Sequence, residues 1–171
     1  KNYICFVGSN RAYKGLNLLQ KLINNTQFNF VLIGKNLRFL SSNNCRVYEN
    51  ISEREKLNLI KDSFFLILTS NQRNEAYGLV LIEALMMRKP ILTSDLLTGF
   101  KDINKNNVGF KFKNNNFASL ENSVNRFYSI SYNEYKLMCE NSREKYLLNH
   151  KPELKVKKYY KIYDIILNKK N

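Results

Sequence analysis

Residues 64–90 read FFLILTSNQRNEAYGLVLIEALMMRKP, and this stretch decides the fold. Phe64 to Thr69 is an apolar run with no alternation. A run that short predicts a strand covered on both faces, as in a parallel sheet. Ser70 to Glu75 follow as a polar loop. Gly78 then precedes Leu79 to Met87, whose residues favour a helix that must stop before Pro90.

Glu83 is the odd residue of that helix. Its neighbours Leu79, Val80, Leu81, Ile82, Ala84, Leu85, Met86 and Met87 are all apolar, which predicts a helix buried all round. A carboxylate in that setting needs a partner, because desolvating an unpaired charge is costly. An Arg or Lys of this chain, or the hydroxyls of a ligand, would serve. Glu75 falls at the carboxyl end of the strand, where open α/β sheets bind ligands. The helix start at Gly78 and Leu79 offers backbone N–H groups and a positive dipole end, suited to phosphate.

Glu75 and Glu83 are separated by seven residues, within S-N-Q-R-N-E-A-Y-G-L-V-L-I-E-A-L. This wording resembles the E-x7-E signature of the retaining group 1 glycosyltransferases with the GT-B fold, usually close to E-G-F-G-L-x-x-L-E-A-M. Ala76 and Tyr77 depart mildly from it. The Glu pair embedded between a strand, Y-G-L and E-A-L is far more specific than two spaced acids.

Working outward, Tyr3 to Val7 predicts a buried strand. Gly8 to Lys14 is a polar loop, and Gly15 to Ile23 has helical spacing. The order is that of a nucleotide-binding half-unit, although neither G-x-G-x-x-G nor a Walker loop is present. The family has G-R and then K-G here. Gly8, Lys14 and Gly15 match in spacing, Ser9 stands at the Arg position, and Arg11 lies two residues on. Phe28 to Ile33 and Arg46 to Tyr48 predict two more strands. Ser52 to Glu55 forms a capping box for a helix reaching about Asp62. The resemblance implies contact with the nucleotide base near Glu49 to Ser52. Ile91 to Thr93 and Val108 to Lys113 complete the strands, the latter followed by a helix over about Phe117 to Tyr128. The loop after Ile91 to Thr93 matches the family less closely. Gly99 and Asp102 align only with a one-residue insertion, and Arg88 replaces a Gly.

Two further helices are predicted, from Ser131 to about Leu148 and from Pro152 to Leu167. In the last, Leu154, Val156, Tyr159, Ile162, Tyr163, Ile166 and Leu167 form an apolar face. Lys151, Lys155, Lys157, Lys158, Lys161, Lys169 and Lys170 lie in the same region. An amphipathic helix of this kind suits an anionic membrane surface, or packing on a core or partner domain; the family's crossing C-terminal helix favours packing.

Composition narrows the function. The net charge is +14, from 28 Lys and Arg against 14 Asp and Glu, which implies an anionic partner unless coding bias toward Asn and Lys inflates it. Cys5, Cys45 and Cys139 are scattered and fit buried thiols in a reducing compartment. The single histidine, His150, argues against histidine-based catalysis or metal binding. Neither a signal peptide nor a transmembrane run is visible.

The expected fold is α/β: a Rossmann-like doubly wound parallel sheet, the C-terminal half of a GT-B fold, ending in two helices. The resemblance covers nearly the whole sequence. It implies that residues 1–171 form a nucleotide-sugar (donor) binding domain, lacking the N-terminal acceptor-binding domain and inactive alone. The implied reaction moves a hexose from a UDP, GDP or ADP sugar to a hydroxyl acceptor in bacterial surface polysaccharide or glycolipid synthesis. The implied setting is cytoplasmic, with contact to the inner membrane face. By resemblance, Glu75, Lys14 and Arg11 act on the transferred sugar and leaving diphosphate. Glu83, Gly8, Tyr77, Gly78, Leu79 and Val80 hold the nucleotide. No metal or other cofactor is implied, and no nucleic acid. A sugar-nucleotide epimerase or a phosphorylase shares this half-fold, and a basic nucleic-acid-binding domain would account for the charge. The last leaves Glu83 unexplained.

Overall fold

The computed structural model describes residues 3–72, 78–97, 103–104 and 107–168. Among these residues, six strands and six helices follow one another: β1 (Tyr3–Val7), α1 (Leu16–Asn25), β2 (Asn29–Ile33), β3 (Cys45–Tyr48), α2 (Glu53–Asp62), β4 (Phe65–Leu68), α3 (Leu79–Met86), β5 (Ile91–Ser94), β6 (Gly109–Phe112), α4 (Phe117–Ser129), α5 (Tyr132–Asn149) and α6 (Pro152–Asn168). Short 3-10 turns at Ala12–Lys14 and Arg38–Leu40 lie in the loops after β1 and β2.

The strands form one sheet in the order β3-β2-β1-β4-β5-β6. Its strand pairs are all parallel, with Ile4 opposite Phe30 on one side and Phe65 on the other. Phe65, Leu66, Ile67 and Leu68 are each fully buried, odd and even positions alike. Helices therefore cover both faces, which is what an unalternating apolar strand requires. In α1 the residues Leu16, Leu19, Leu22 and Ile23 recur at helical spacing and are all buried. Phe127 of α4 stacks on Phe65 at 4.0 Å between ring centroids and meets Phe110 at 4.6 Å, locking α4 to the sheet.

Both anticipated capping boxes are formed. Ser52 accepts from the Glu55 N–H at the start of α2, and Ser131 from the Glu134 N–H at the start of α5. Each Glu in turn accepts from its Ser backbone N–H.

One expectation needs correction. The helix α3 is not buried all round, because Leu79 is 70% exposed, and Ile82 and Met86 are only partly covered. Val80, Leu81, Ala84 and Leu85 carry its packing. The helix is short, and its N-cap Gly78 lies against Leu68, the last residue of β4, whose Cδ2 is 3.2 Å from where a Gly78 Cβ would stand. At its other end Arg143 of α5 donates to the Met86 carbonyl at 2.8 Å. In α6 the side chains of Val156, Tyr159, Ile162, Tyr163, Ile166 and Leu167 are all at least half exposed.

Candidate functional site

The strand order reverses direction between β1 and β4. From β1 the chain crosses to β2 and β3 on one side, and from β4 to β5 and β6 on the other. The loops leaving the carboxyl ends of β1 and β4 therefore part, and a crevice opens between them.

Backbone contacts hold the walls of that crevice close together. Thr69 donates its hydroxyl to the Lys14 carbonyl at 2.8 Å, and the Asn71 N–H donates to the Tyr13 carbonyl at 2.9 Å. Gly15 adopts a left-handed φ of 63°, and a Cβ there would overlap the Thr69 carbonyl oxygen. Gly34 plays the same part on the other side, where a Cβ would overlap the Gly8 carbonyl oxygen. Glycine is thus required at both positions by close backbone approach. The Ser94 hydroxyl donates to the Ser70 carbonyl at 2.7 Å, which fixes the end of β4 from the β5 side as well.

Two cavities flank the loop after β1. One, of about 340 Å³, is lined by Val7, Gly8, Tyr48, Ile51, Glu53 and Lys56 among others. The other, of about 500 Å³, is lined by Asn10, Arg11, Lys21, Phe39, Asn71 and Phe117 among others. Lys14 is buried and its stem approaches Gly8, with Cε 3.3 Å from where a Gly8 Cβ would stand. Lys14 and Gly8 are thus brought together beside the smaller cavity. Arg11 is exposed and belongs to the larger one.

Glu83 reaches the same region from α3. Its Oε2 lies 2.9 Å from Lys56 Nζ, which is also 2.7 Å from Glu53 Oε1. Of the partners anticipated for Glu83, the chain supplies a lysine. Burial works against the charge on Lys56, but the adjoining carboxylates of Glu53 and Glu83 outweigh it, and its pKa is raised above the ordinary 10.5. At the start of α3, the N-cap Gly78 sits in the left-handed region with φ 43° and has no side chain with which to cap the helix. Leu79 is exposed at this terminus and Val80 is buried behind it. Glu75 and Tyr77 lie outside the described residues, as do Gly99 and Asp102.

In the loop after β3, Glu49 is turned away from the cavity: it accepts from Arg38 Nε at 2.9 Å and from the Leu37 N–H at 3.3 Å. Asn50, Ile51 and Ser52 line the cavity instead. Among the described residues, no three His, Cys, Asp or Glu side chains cluster as a metal site, and no helix is long and apolar enough to cross a membrane.

Lys56 is the residue that reasoning from sequence missed. A signal for it exists in S-E-R-E-K, residues 52–56. The capping box starts α2 at Glu53, which puts Lys56 at the end of the first turn, near the positive end of the helix dipole. Cations are disfavoured there, so a half-buried lysine at that place demands acids around it.

The family model for glycosyl transferases group 1 matches residues 1–145. The chain belongs to that family of glycosyltransferases. The D-rhamnosyltransferase WbpZ of Pseudomonas aeruginosa is 29% identical over 111 residues, which span 60% of this chain and 29% of that protein. The O-antigen chain mannosyltransferase C of Escherichia coli is 23% identical over 99% of this chain and 48% of its own length. The solved glycosyltransferase from Rickettsia africae superposes with a TM-score of 0.83 at 23% identity, over 98% of this chain and 48% of that one. HepE of Anabaena, solved in complex with UDP-glucose, gives a TM-score of 0.71 at 16% identity, over 85% of this chain and 44% of that one. The fold is that of one half of a GT-B glycosyltransferase, and the chain spans about half the length, or less, of these relatives.

Proposed function

We propose that this chain is the donor-binding domain of a retaining glycosyltransferase, moving a hexose from a nucleoside diphosphate sugar to a hydroxyl of a surface polysaccharide or glycolipid. The observation that carries this reading is Glu83: a carboxylate on an otherwise apolar helix, paired with Lys56, which lines a cavity of about 340 Å³ beside the loop after β1. Carboxylate oxygens accept hydrogen bonds, and the vicinal hydroxyls of a ribose supply two. Lys14 stands beside Gly8 to meet the phosphates, and Arg11 approaches them from the far side of the loop. The uncapped start of α3, at Gly78, Leu79 and Val80, offers N–H groups to the same diphosphate. Tyr77 and Glu75 precede that start in sequence, and the role assigned to Glu75 is at the transferred sugar.

The chemistry follows from charge. Breaking the sugar–phosphate bond builds negative charge on the leaving diphosphate. Fixed cations and a helix dipole that already point there lower the barrier without reorganising. The acceptor hydroxyl is brought by an N-terminal acceptor-binding domain of the whole enzyme, working from the cytoplasmic face of a membrane. Support for the polysaccharide assignment comes from the O-antigen enzyme among the relatives, and for the donor class from the UDP-glucose complex among the fold neighbours.

The test is calorimetric titration of the chain with UDP, GDP and ADP, beside Glu83→Ala. One diphosphate binds, and the Ala variant loses it. A folded chain that binds none of the three, or an Ala variant that binds equally well, overturns the reading.

A further inference from the structure

Lys56 differs from an ordinary surface ion-pair partner in three ways. Its side chain is only 17% exposed, and it lines the cavity beside Val7, Gly8, Tyr48 and Ile51. It sits in the first turn of α2, against the helix dipole, as the capping box at Ser52 dictates. And its contact with Glu83 leaves capacity unused. Oε2 of Glu83 is sealed from solvent with Lys56 Nζ at 2.9 Å, yet the approach lies outside hydrogen-bond geometry. The rest of the Glu83 side chain keeps 25% of its surface exposed.

An anchored carboxylate of this kind has two needs that Lys56 meets. It needs an opposite charge beside it on a mostly apolar helix, and Lys56 Nζ lies 2.9 Å away. It must also be aimed, and a cation held on its other side by Glu53 fixes the direction from which Glu83 is pulled. Glu53 adds a second carboxylate 2.7 Å from the ammonium, on the opposite side from Glu83.

We propose that Lys56 is a positioning residue for the ribose of the bound nucleotide: it grips Glu83 through Oε2 and keeps the carboxylate facing the hydroxyls. The inference rests on the donor-nucleotide reading above. It concerns recognition of the sugar ring of the nucleotide, not of the phosphates. A change at Lys56 therefore alters discrimination between nucleotides with and without ribose hydroxyls, while general phosphate affinity stays.

The experiment measures calorimetric affinities for UDP, GDP and ADP and for the 2′,3′-dideoxy form of whichever binds, on wild type, Glu83→Ala, Lys56→Met and Lys56→Arg. Wild type prefers the ribonucleotide by about tenfold or more, the worth of one to two hydrogen bonds to a charged group. Glu83→Ala abolishes that preference. Lys56→Met cuts it several-fold with the dideoxy affinity unchanged, and Lys56→Arg restores most of it.

If Lys56→Met keeps the full preference, or weakens both nucleotides alike, the positioning role is wrong and the donor reading stands. If wild type itself shows no preference, or binds none of the diphosphates, the donor reading fails and takes this inference with it. Should Lys56→Met not fold, Lys56→Arg decides: an unchanged preference supports the role, and a lost one with intact folding overturns it.

Discussion

The Thr69 hydroxyl donates to the Lys14 carbonyl at 2.8 Å, across fifty-five positions of sequence. This bond ties the end of β4 to the loop after β1, the two segments that frame the crevice. Both groups are buried, so removing the hydroxyl leaves the Lys14 carbonyl without that donor. Thr69→Val should lower stability by about 1–3 kcal/mol, read from the shift of the urea midpoint at unchanged m-value. It should also weaken nucleotide binding by loosening Lys14.

Gly15→Ala is the harsher change at the same seam. It combines a left-handed φ of 63° with a Cβ set against the Thr69 carbonyl oxygen. The conformational cost is about 1–2 kcal/mol, and prising the loop from β4 adds about 1–3 kcal/mol more. The measurement is the same urea titration. A loss below about 1 kcal/mol would mean that the two segments are less tightly apposed than described.

Arg143 supports the site from behind. Its guanidinium donates to the Met86 carbonyl at 2.8 Å, at the negative end of α3. Arg143→Ala should cost about 1–2 kcal/mol, typical of a partly buried charge-assisted bond. Arg143→Lys should recover only part, because an ammonium lacks the planar fork. Thermal unfolding with each variant checks the order wild type, Lys, Ala.

Acid sensitivity is predicted at the two capping boxes. Hydrogen bonds from the Ser52 side chain and backbone hold Glu55 below the ordinary 4.5, and those from the Ser131 backbone and side chain do the same for Glu134. A carboxylate lowered in the folded state stabilises fully above its unfolded value and loses that contribution as pH falls through the lowered one. The wild-type urea midpoint should therefore decline below pH 4.5, and a Glu55→Gln, Glu134→Gln double variant should decline less steeply there. Equal slopes would mean that the boxes do not titrate as described.

The charge of +14 makes salt a discriminating variable. Single-stranded DNA binding, if it occurs, should fall by orders of magnitude from about 50 to about 200 mM salt and be indifferent to Glu83→Ala. Nucleoside diphosphate binding should fall far less and be lost with Glu83→Ala. Calorimetry at two salt concentrations separates the two; a steep salt slope for the diphosphate itself would put the basic surface, not the Glu83 site, in charge of binding.

Much of this protein is legible in its sequence because the signals are local. The unalternating run around Leu66 specifies a strand covered on both faces. The pairs Ser52 with Glu55 and Ser131 with Glu134 specify helix starts. The spacing of Leu16, Leu19, Leu22 and Ile23 specifies the buried face of α1. Each depends on a few neighbouring residues and the 3.6 or 2.0 period of the backbone. The position of Glu83 on an apolar helix also marked it as needing a partner, though not which one.

Tertiary structure alone decided the rest. The order β3-β2-β1-β4-β5-β6 sets which loops part to open a crevice, and no local pattern encodes an order of strands. The exposure of Leu79 depends on where α3 begins relative to the sheet, so apolar periodicity misjudged it. Lys56 meets Glu83 only because α2 and α3 are carried to the same end of adjacent crossovers. Charge pairing acts through space over a few ångströms, and residues that distant in sequence acquire that proximity only when the chain has folded.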